Sequence, residues 1–505
     1  MRPARWLAAT ASLAICTAAC TSPPVRTTSA TGPSAAPTTL AGYYAQRLHW
    51  RPCDTGFQCA LLVVPFDYAQ PDGPRFTLPV VRLPAADPAQ RIGALVINPG
   101  GPGASGVQYA LGARFEFPAA ILDRFDIVGF DPRGVGASQP ALNCMTGPQL
   151  DTFFATDDEP SGPAQLTRVV AESKLFDAEC ERNSAALLPY VGTQNSARDL
   201  DVLRSALGES RLTYLGKSYG TYLGSWYAQM FPRHVRALVL DGAVDPDQSS
   251  LQATVAQGVG FQDAFGSFAA WCLASPGCPL GRGSLAAAEV KAEALIARAN
   301  SAPLASHLGD GQVADGAMLL YGVADALYSR AFWPILRTAL TSAFAGDGTG
   351  LLELANQLYG RMPNGTYSTL ANAVTAIDCL DRPWPRSLAP WQAAASTAQR
   401  AAPMFGAAIV WGSLACAYWP VPAYPLPRIR AAGAPPILVV GTLRDPATPY
   451  RSAQALAGDL ASGVLLGWNG DGHTAYGEGS ACVDTIVDNY LINLAVPRSG
   501  TICQH

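Results

Sequence analysis

From about residue 60 the chain alternates short apolar runs with amphipathic stretches, and it does so in two blocks separated by a long interruption. Residues 60–65, 76–83, 93–98, 125–130, 212–216 and 235–240 are apolar runs of strand length. Residues 196–207 set Leu200, Leu203 and Leu207 on one helical face, and residues 219–231 read as a helix stopped by Pro232. Strands alternating with helices predict an α/β fold, a mostly parallel sheet with helices on both faces. Between 247 and 427 the alternation stops. That stretch reads as helices (285–299 and 317–327 among them) broken by Gly and Pro. The pattern resumes at 436–441 and 463–468 and closes on a helix over 480–494. The expected organisation is one sheet domain, 43–246 and 428–505, interrupted by a mainly helical insertion, 247–427, that covers the C-terminal edge of the sheet as a lid. Hydrophobic residues make up 49% of the chain, enough for a large core. Charged residues are only 14%, the net charge is −4 and no basic patch stands out, which speaks against a nucleic-acid partner.

Gly216-Lys217-Ser218-Tyr219-Gly220 falls at a strand-to-helix junction. Gly-x-Ser-x-Gly alone is a weak signal in a chain with 48 glycines. Its context makes it specific, because a nucleophilic serine on a strained turn between strand and helix needs small residues on both sides. This is the nucleophile elbow of the α/β-hydrolase fold, with Ser218 as nucleophile.

A serine nucleophile needs a base, and the base needs an orienting acid, in the chain order Ser, acid, His. Of the histidines, only His473 and His505 follow the late strand at 436–441, and His473 lies in a Gly-flanked loop after an apolar run. His473 is the expected base. Asp445, just past the strand at 436–441, is the expected acid. Asp241, at the end of the strand after the nucleophile, is the alternative, and either carboxylate also fits a turn-capping role. The oxyanion needs two backbone N–H donors. One is expected from Tyr219, after the nucleophile, and one from the loop Asn98-Pro99-Gly100-Gly101-Pro102-Gly103. That loop lacks the spacing of a phosphate-binding loop.

The N-terminus reads as a secretion signal over 1–20: a basic start at Arg2 and Arg5, then an apolar run too short to span a bilayer. Thr17-Ala18-Ala19-Cys20 resembles a lipoprotein cleavage box with Thr in place of Leu, so membrane attachment through a lipidated Cys20 is expected. Residues 21–42, rich in Ser, Thr, Pro and Ala, are expected to be a disordered tether. Ten cysteines remain after Cys16 and Cys20, an even number that fits disulfides in an exported chain. Pairing of sequence neighbours is the simplest scheme: 53–59, 144–180, 272–278, 379–416 and 482–503. Scattered histidines and the lack of any Cys-x-x-Cys give no metal site, and no cofactor is expected.

Five motifs, in order, resemble the secreted tripeptidyl aminopeptidases of actinomycetes, relatives of the prolyl aminopeptidases. They are Asn-Pro-Gly-Gly-Pro-Gly at 98–103, Asp-Pro-Arg-Gly-Val-Gly-Ala-Ser at 131–138, Gly-Lys-Ser-Tyr-Gly-Thr-Tyr-Leu-Gly at 216–224, Asp-Pro-Ala-Thr-Pro at 445–449 and Gly-His-Thr at 472–474. Pro99 stands where the prolyl enzymes carry His, and Ala447 where Val is common. The resemblance runs from about residue 43 to the C-terminus. It implies Ser218, Asp445 and His473 as the triad, Gly101 and Tyr219 as the oxyanion hole, and exopeptidase activity on short peptides with a free N-terminus. Such an enzyme must hold an ammonium group, and a lid carboxylate is the natural anchor. Asp378 and Asp381, beside Cys379, are the candidates, with solvated surface acids as the plainer reading of each. An esterase or lipase-like hydrolase, or a non-catalytic surface binding protein on the same scaffold, are the alternatives. The sequence does not fix oligomeric state. Mass spectrometry of the mature protein tests the N-terminal reading: a chain that begins at a modified Cys20 is expected, and an unmodified start downstream of Cys20 refutes lipidation.

Overall fold

The structure, a computed structural model, describes residues 37–156, 159–426 and 428–504. The expected signal, Cys16, Cys20, most of the expected tether and His505 lie outside the described residues. A short helix, Leu40–Tyr44, starts just ahead of the expected domain boundary at 43 and buries Tyr43.

Among the described residues ten strands form one sheet: β1 Arg51–Asp54, β2 Phe57–Pro65, β3 Arg75–Leu83, β4 Gly93–Asn98, β5 Phe125–Phe130, β6 Leu212–Lys217, β7 Val235–Asp241, β8 Ile437–Arg444, β9 Gly463–Asp471 and β10 Thr501–Cys503. Their order is β1-β2-β3-β5-β4-β6-β7-β8-β9-β10. The first three strands and β5 pair antiparallel, and every pair from β5 to β10 is parallel. Strands β4 and β5 are buried at every position. Their alternate residues feed opposite faces: Ala94 and Val96 join one apolar cluster, Leu95 and Ile97 the other. The chain runs outward from β4 to β5 on one side and to β6 on the other. That reversal opens a crevice at the C-terminal ends of β4 and β6, the place where open α/β sheets hold ligands.

The interruption is helical. Ser250–Leu273, Leu285–Ser301, Gly316–Leu327, Trp333–Phe344, Thr349–Tyr359, Leu370–Asp381, Leu388–Ala401 and Gly406–Gly412 are helices. Their apolar faces share a cluster with one face of the sheet: Phe261, Leu320 and Ile377 belong with Tyr214 and Leu223. A second segment between β5 and β6, with helices Gly147–Phe154 and Pro163–Ser184, packs on these helices. Phe154 stacks on Tyr359, and the Arg361 guanidinium donates to Asp151 at 2.7 and 3.0 Å. All five expected neighbour disulfides are formed. Cys144–Cys180 pins the second segment, and Cys379–Cys416 pins the helix Leu370–Asp381.

The 131–138 motif serves the scaffold. Arg133, fully buried, donates to Asp199 and to the carbonyls of Phe66, Tyr190 and Pro65. Asp131 accepts from Ser105 Oγ at 2.6 Å and from the amides of Val107 and Ala137.

Asp177, on the helix Pro163–Ser184, is buried with neither carboxyl oxygen hydrogen-bonded. Burial pushes its carboxyl up from 3.8 to about 8, against the pull of Arg386. The native group therefore keeps its proton to about pH 8, while the unfolded chain loses it near 3.8. Between those values the unfolded state binds fewer protons, so this residue makes stability fall as pH rises. Asp177→Asn removes the effect: its melting temperature, relative to wild type, is expected to gain a few degrees from pH 4 to pH 8 in thermal denaturation.

Candidate active site

β6 delivers Ser218 to the crevice. Its backbone sits at φ 56° and ψ −125°, outside the regions open to an unstrained L-residue. Three hydrogen bonds hold it: Ser218 N–H donates to the Asp241 carbonyl at 2.8 Å, and Thr221 donates its N–H and Oγ1–H to the Ser218 carbonyl at 2.8 and 2.6 Å. The helix Tyr219–Met230 follows at once. A Cβ on Gly220 would sit 2.9 Å from the Asn98 carbonyl, so only glycine lets β4 lie this close to the elbow.

β8 ends at Arg444, and Asp445 is buried just beyond it. Its Oδ1 accepts the amides of Ala447 at 2.9 Å and Thr448 at 2.8 Å, and its Oδ2 accepts the Thr448 hydroxyl at 3.1 Å. His473 Nδ1 lies 2.8 and 3.0 Å from the same two oxygens. The carboxylate therefore fixes the Nδ1–H tautomer and leaves Nε2 as an acceptor. Nε2 is buried and has no hydrogen-bond partner. His473 N–H donates to the Tyr328 carbonyl at 2.7 Å, and the Tyr328 ring stands edge-on to the imidazole at 5.3 Å. Asp445 and His473 are thus joined directly. Ser218 and His473 are not hydrogen-bonded here, and such contacts tighten on substrate binding in many hydrolases. Gly242 brings them near: a Cβ there would lie 3.1 Å from His473 Cε1, one residue past the carbonyl that holds Ser218.

Asp241, the alternative acid, makes no hydrogen bond to His473. Its carboxylate accepts the amides of Ala475 and Tyr476 at 2.9–3.1 Å. Burial raises its carboxyl to about 6, while Lys217 and those amides pull it down.

The loop 98–103 lies over the elbow. Gly100, at φ 100°, has its Cβ position 2.6 Å from the Lys217 carbonyl oxygen and 2.8 Å from Ser218 Cβ. Its own amide donates to Asn98 Oδ1 at 3.0 Å, so Gly101 is the next donor along the loop. Tyr219 opens its helix, and an amide in that position has no intrahelical acceptor. The helix Leu370–Asp381 packs on this loop: Leu370 lies by Gly101 and Ala373 by Gly103, and Thr369 Oγ1 just before it accepts the Gly136 amide at 2.6 Å.

The same helix carries Asp378 and Asp381 close to Tyr219 and Tyr222, whose phenols are raised by burial first and then by these carboxylates. Their situations differ. Asp381 is buried and accepts the Thr193 amide at 2.7 Å and the Thr193 hydroxyl, which also contacts the Tyr219 hydroxyl. Asp378 is solvent-accessible, yet surrounding protein and then the Asp381 charge push its carboxyl up to about 7. Tyr328, Thr448 and Thr193 were not predicted from sequence. Only Thr448 had a signal, inside the 445–449 motif; the others come from distant helices.

A Cβ at residue 100 forces the loop off the elbow. Gly100→Ala is expected to lower kcat by about 10²–10³, the size of effect a displaced oxyanion donor gives, and to lower the melting temperature by several degrees while circular dichroism still reports the native secondary structure.

A family model described as TAP-like protein matches residues 402–503, which hold β8 to β10, Asp445 and His473. Three relatives cover most of the chain. Serine protease Hip1 of Mycobacterium tuberculosis is 38% identical over 478 residues, 91% of each chain. Carboxylesterase B of the same organism is 39% identical over 492 residues, 93% of this chain and 92% of its own. Tripeptidyl aminopeptidase of Streptomyces coelicolor is 34% identical over 465 residues, 88% of this chain and 83% of its own. With the elbow, the loop over it and the Asp445–His473 pair at one sheet edge, the chain belongs to the TAP-like family of α/β-hydrolases and is a serine hydrolase.

Proposed function

We propose that this protein is an exopeptidase that releases short peptides, tripeptides foremost, from free N-termini. Ser218 is the nucleophile, His473 the base, Asp445 the orienting acid, and the amides of Gly101 and Tyr219 the oxyanion hole. One observation carries the hydrolytic mechanism in this reading: His473 is held by Asp445 through Nδ1 while Nε2 stays open, beside a serine on a strained elbow; the peptide substrate is supported by the relatives named serine protease and tripeptidyl aminopeptidase. Nε2 takes the Ser218 proton as Oγ attacks the scissile carbonyl, and the oxyanion forms against the two amides. His473 then protonates the leaving amine, and water, deprotonated by the same nitrogen, hydrolyses the acyl-enzyme.

The substrate ammonium is met by Asp378 and Asp381 on the helix Leu370–Asp381. The lid is residues 247–427, joined in its packing by 147–184. Five disulfides suit an oxidising compartment, and no helix among the described residues is long and apolar enough to cross a membrane. Export, with anchoring through Cys20, fits both.

An esterase is the second reading, favoured by the relative named Carboxylesterase B and by a triad chemistry that does not distinguish esters from amides. Turnover of a free tripeptide anilide, its N-acetylated form and a simple aryl ester separates the two. The free anilide is expected to exceed the acetylated one by at least about 30-fold in kcat/KM, as loss of one buried ion pair predicts. Ser218→Ala is expected to lower kcat by about 10⁴–10⁶, and Asp445→Asn by about 10³–10⁴. Activity confined to blocked peptides or esters refutes the exopeptidase reading.

A further inference from the structure

We propose that Asp241 is a positioning residue for catalysis: one residue that sets where Ser218 and His473 stand relative to each other. The inference rests on the assignment of Ser218 as nucleophile and His473 as base. Asp241 ends β7, between β6, which carries Ser218, and β8, which leads to Asp445. Its two polar ends work in opposite directions. The backbone carbonyl accepts the amide of Ser218 at 2.8 Å, holding the strained elbow. The carboxylate accepts the amides of Ala475 and Tyr476, two and three residues after His473. Gly242, next in the chain, abuts the imidazole. Nucleophile and base loop are thereby tied to one rigid strand end. Held groups within a few tenths of an ångström of a productive geometry are what this chemistry demands.

A carboxylate accepting this many amides works only while it is ionised, because a proton on one oxygen removes an acceptor site. Its charged surroundings come from every side. Lys217, from β6, is buried; burial works to lower its ammonium, and Tyr109, Asp241, Glu478 and Glu116 together hold it above the ordinary value. Glu478 stands 3.9 Å from Lys217 Nζ, and His473 faces Asp241 from the loop after β9. With its carboxyl near 6, Asp241 takes up a proton in mildly acidic solution.

The test is the pH dependence of kcat for a free tripeptide anilide, with active sites titrated by a fluorophosphonate. For the wild type, log kcat is expected to fall on the acid side with a slope greater than one, because two protons inactivate. Asp241→Asn is expected to lower kcat per titrated site by about tenfold or more, to keep KM within about twofold, and to show an acid limb of unit slope. A kcat per site within about threefold of wild type, or a change in KM alone, overturns the proposal. Should the variant not fold, a wild-type acid limb of unit slope down to about pH 4.5 overturns it as well. Ser218→Ala run in parallel keeps the two readings apart: turnover within about tenfold of wild type there removes the triad assignment itself, whereas a Ser218→Ala lowered by about 10⁴ or more with an unimpaired Asp241→Asn removes only the positioning role.

Discussion

The backbone of Ser218, at φ 56° and ψ −125°, sits in a conformation that costs about 1–3 kcal/mol, and it persists because neighbouring strands leave it nowhere else to go. β6 is paired on both sides, to β4 and β7. The β7 end accepts the Ser218 amide, the β4 loop closes over Ser218 Cβ, and the following helix takes its carbonyl. The strain points the side chain out of the sheet at the reversal between β4 and β6, the one edge where loops from several strands converge. Other site residues then need only reach that edge, and Asp241, Asp445 and His473 do so from β7, β8 and the loop past β9.

The cover is organised around the same edge. The helix Leu370–Asp381 touches the β4 loop with its first turns and brings Asp378 and Asp381 with its last, and a disulfide at Cys379 fixes it. Burial raises the two acids buried around the crevice, Asp241 and Asp381. Their ionisation is thus poised at mildly acidic to neutral pH, where a bound ammonium or an ordered set of amides can select the charged form.

Elements with strong periodicity were legible. The apolar runs at 93–98 and 125–130 became β4 and β5 without a residue of difference, and 285–299 became Leu285–Ser301. Others carried little signal. β1 is exposed at all four positions, and β10 has three residues, so neither shows an alternation. The helix Pro163–Ser184 buries Ser173, Asp177 and Glu179 alongside Val169 and Phe176, so its inward face does not read as an apolar stripe. Its burial comes from the second half of the cover, which no local pattern announces.

For the site, residue types and their order in the chain pointed to Ser218 as nucleophile and His473 as base and narrowed the acid to Asp445 or Asp241, because an elbow needs its glycines and each partner follows an apolar strand. The choice between Asp241 and Asp445 was not in the sequence. Both end neighbouring parallel strands, and side-chain direction past a strand end is set by the loop: Ala447 and Thr448 turn Asp445 towards Nδ1, while Ala475 and Tyr476 claim Asp241. Asp378 and Asp381 are likewise equivalent by spacing, and only the approach of Thr193 from a remote helix separates a buried, hydrogen-bonded carboxylate from one exposed to solvent. Local sequence determined which residues have the chemistry; contacts between segments far apart in the chain decided which of them is free to use it.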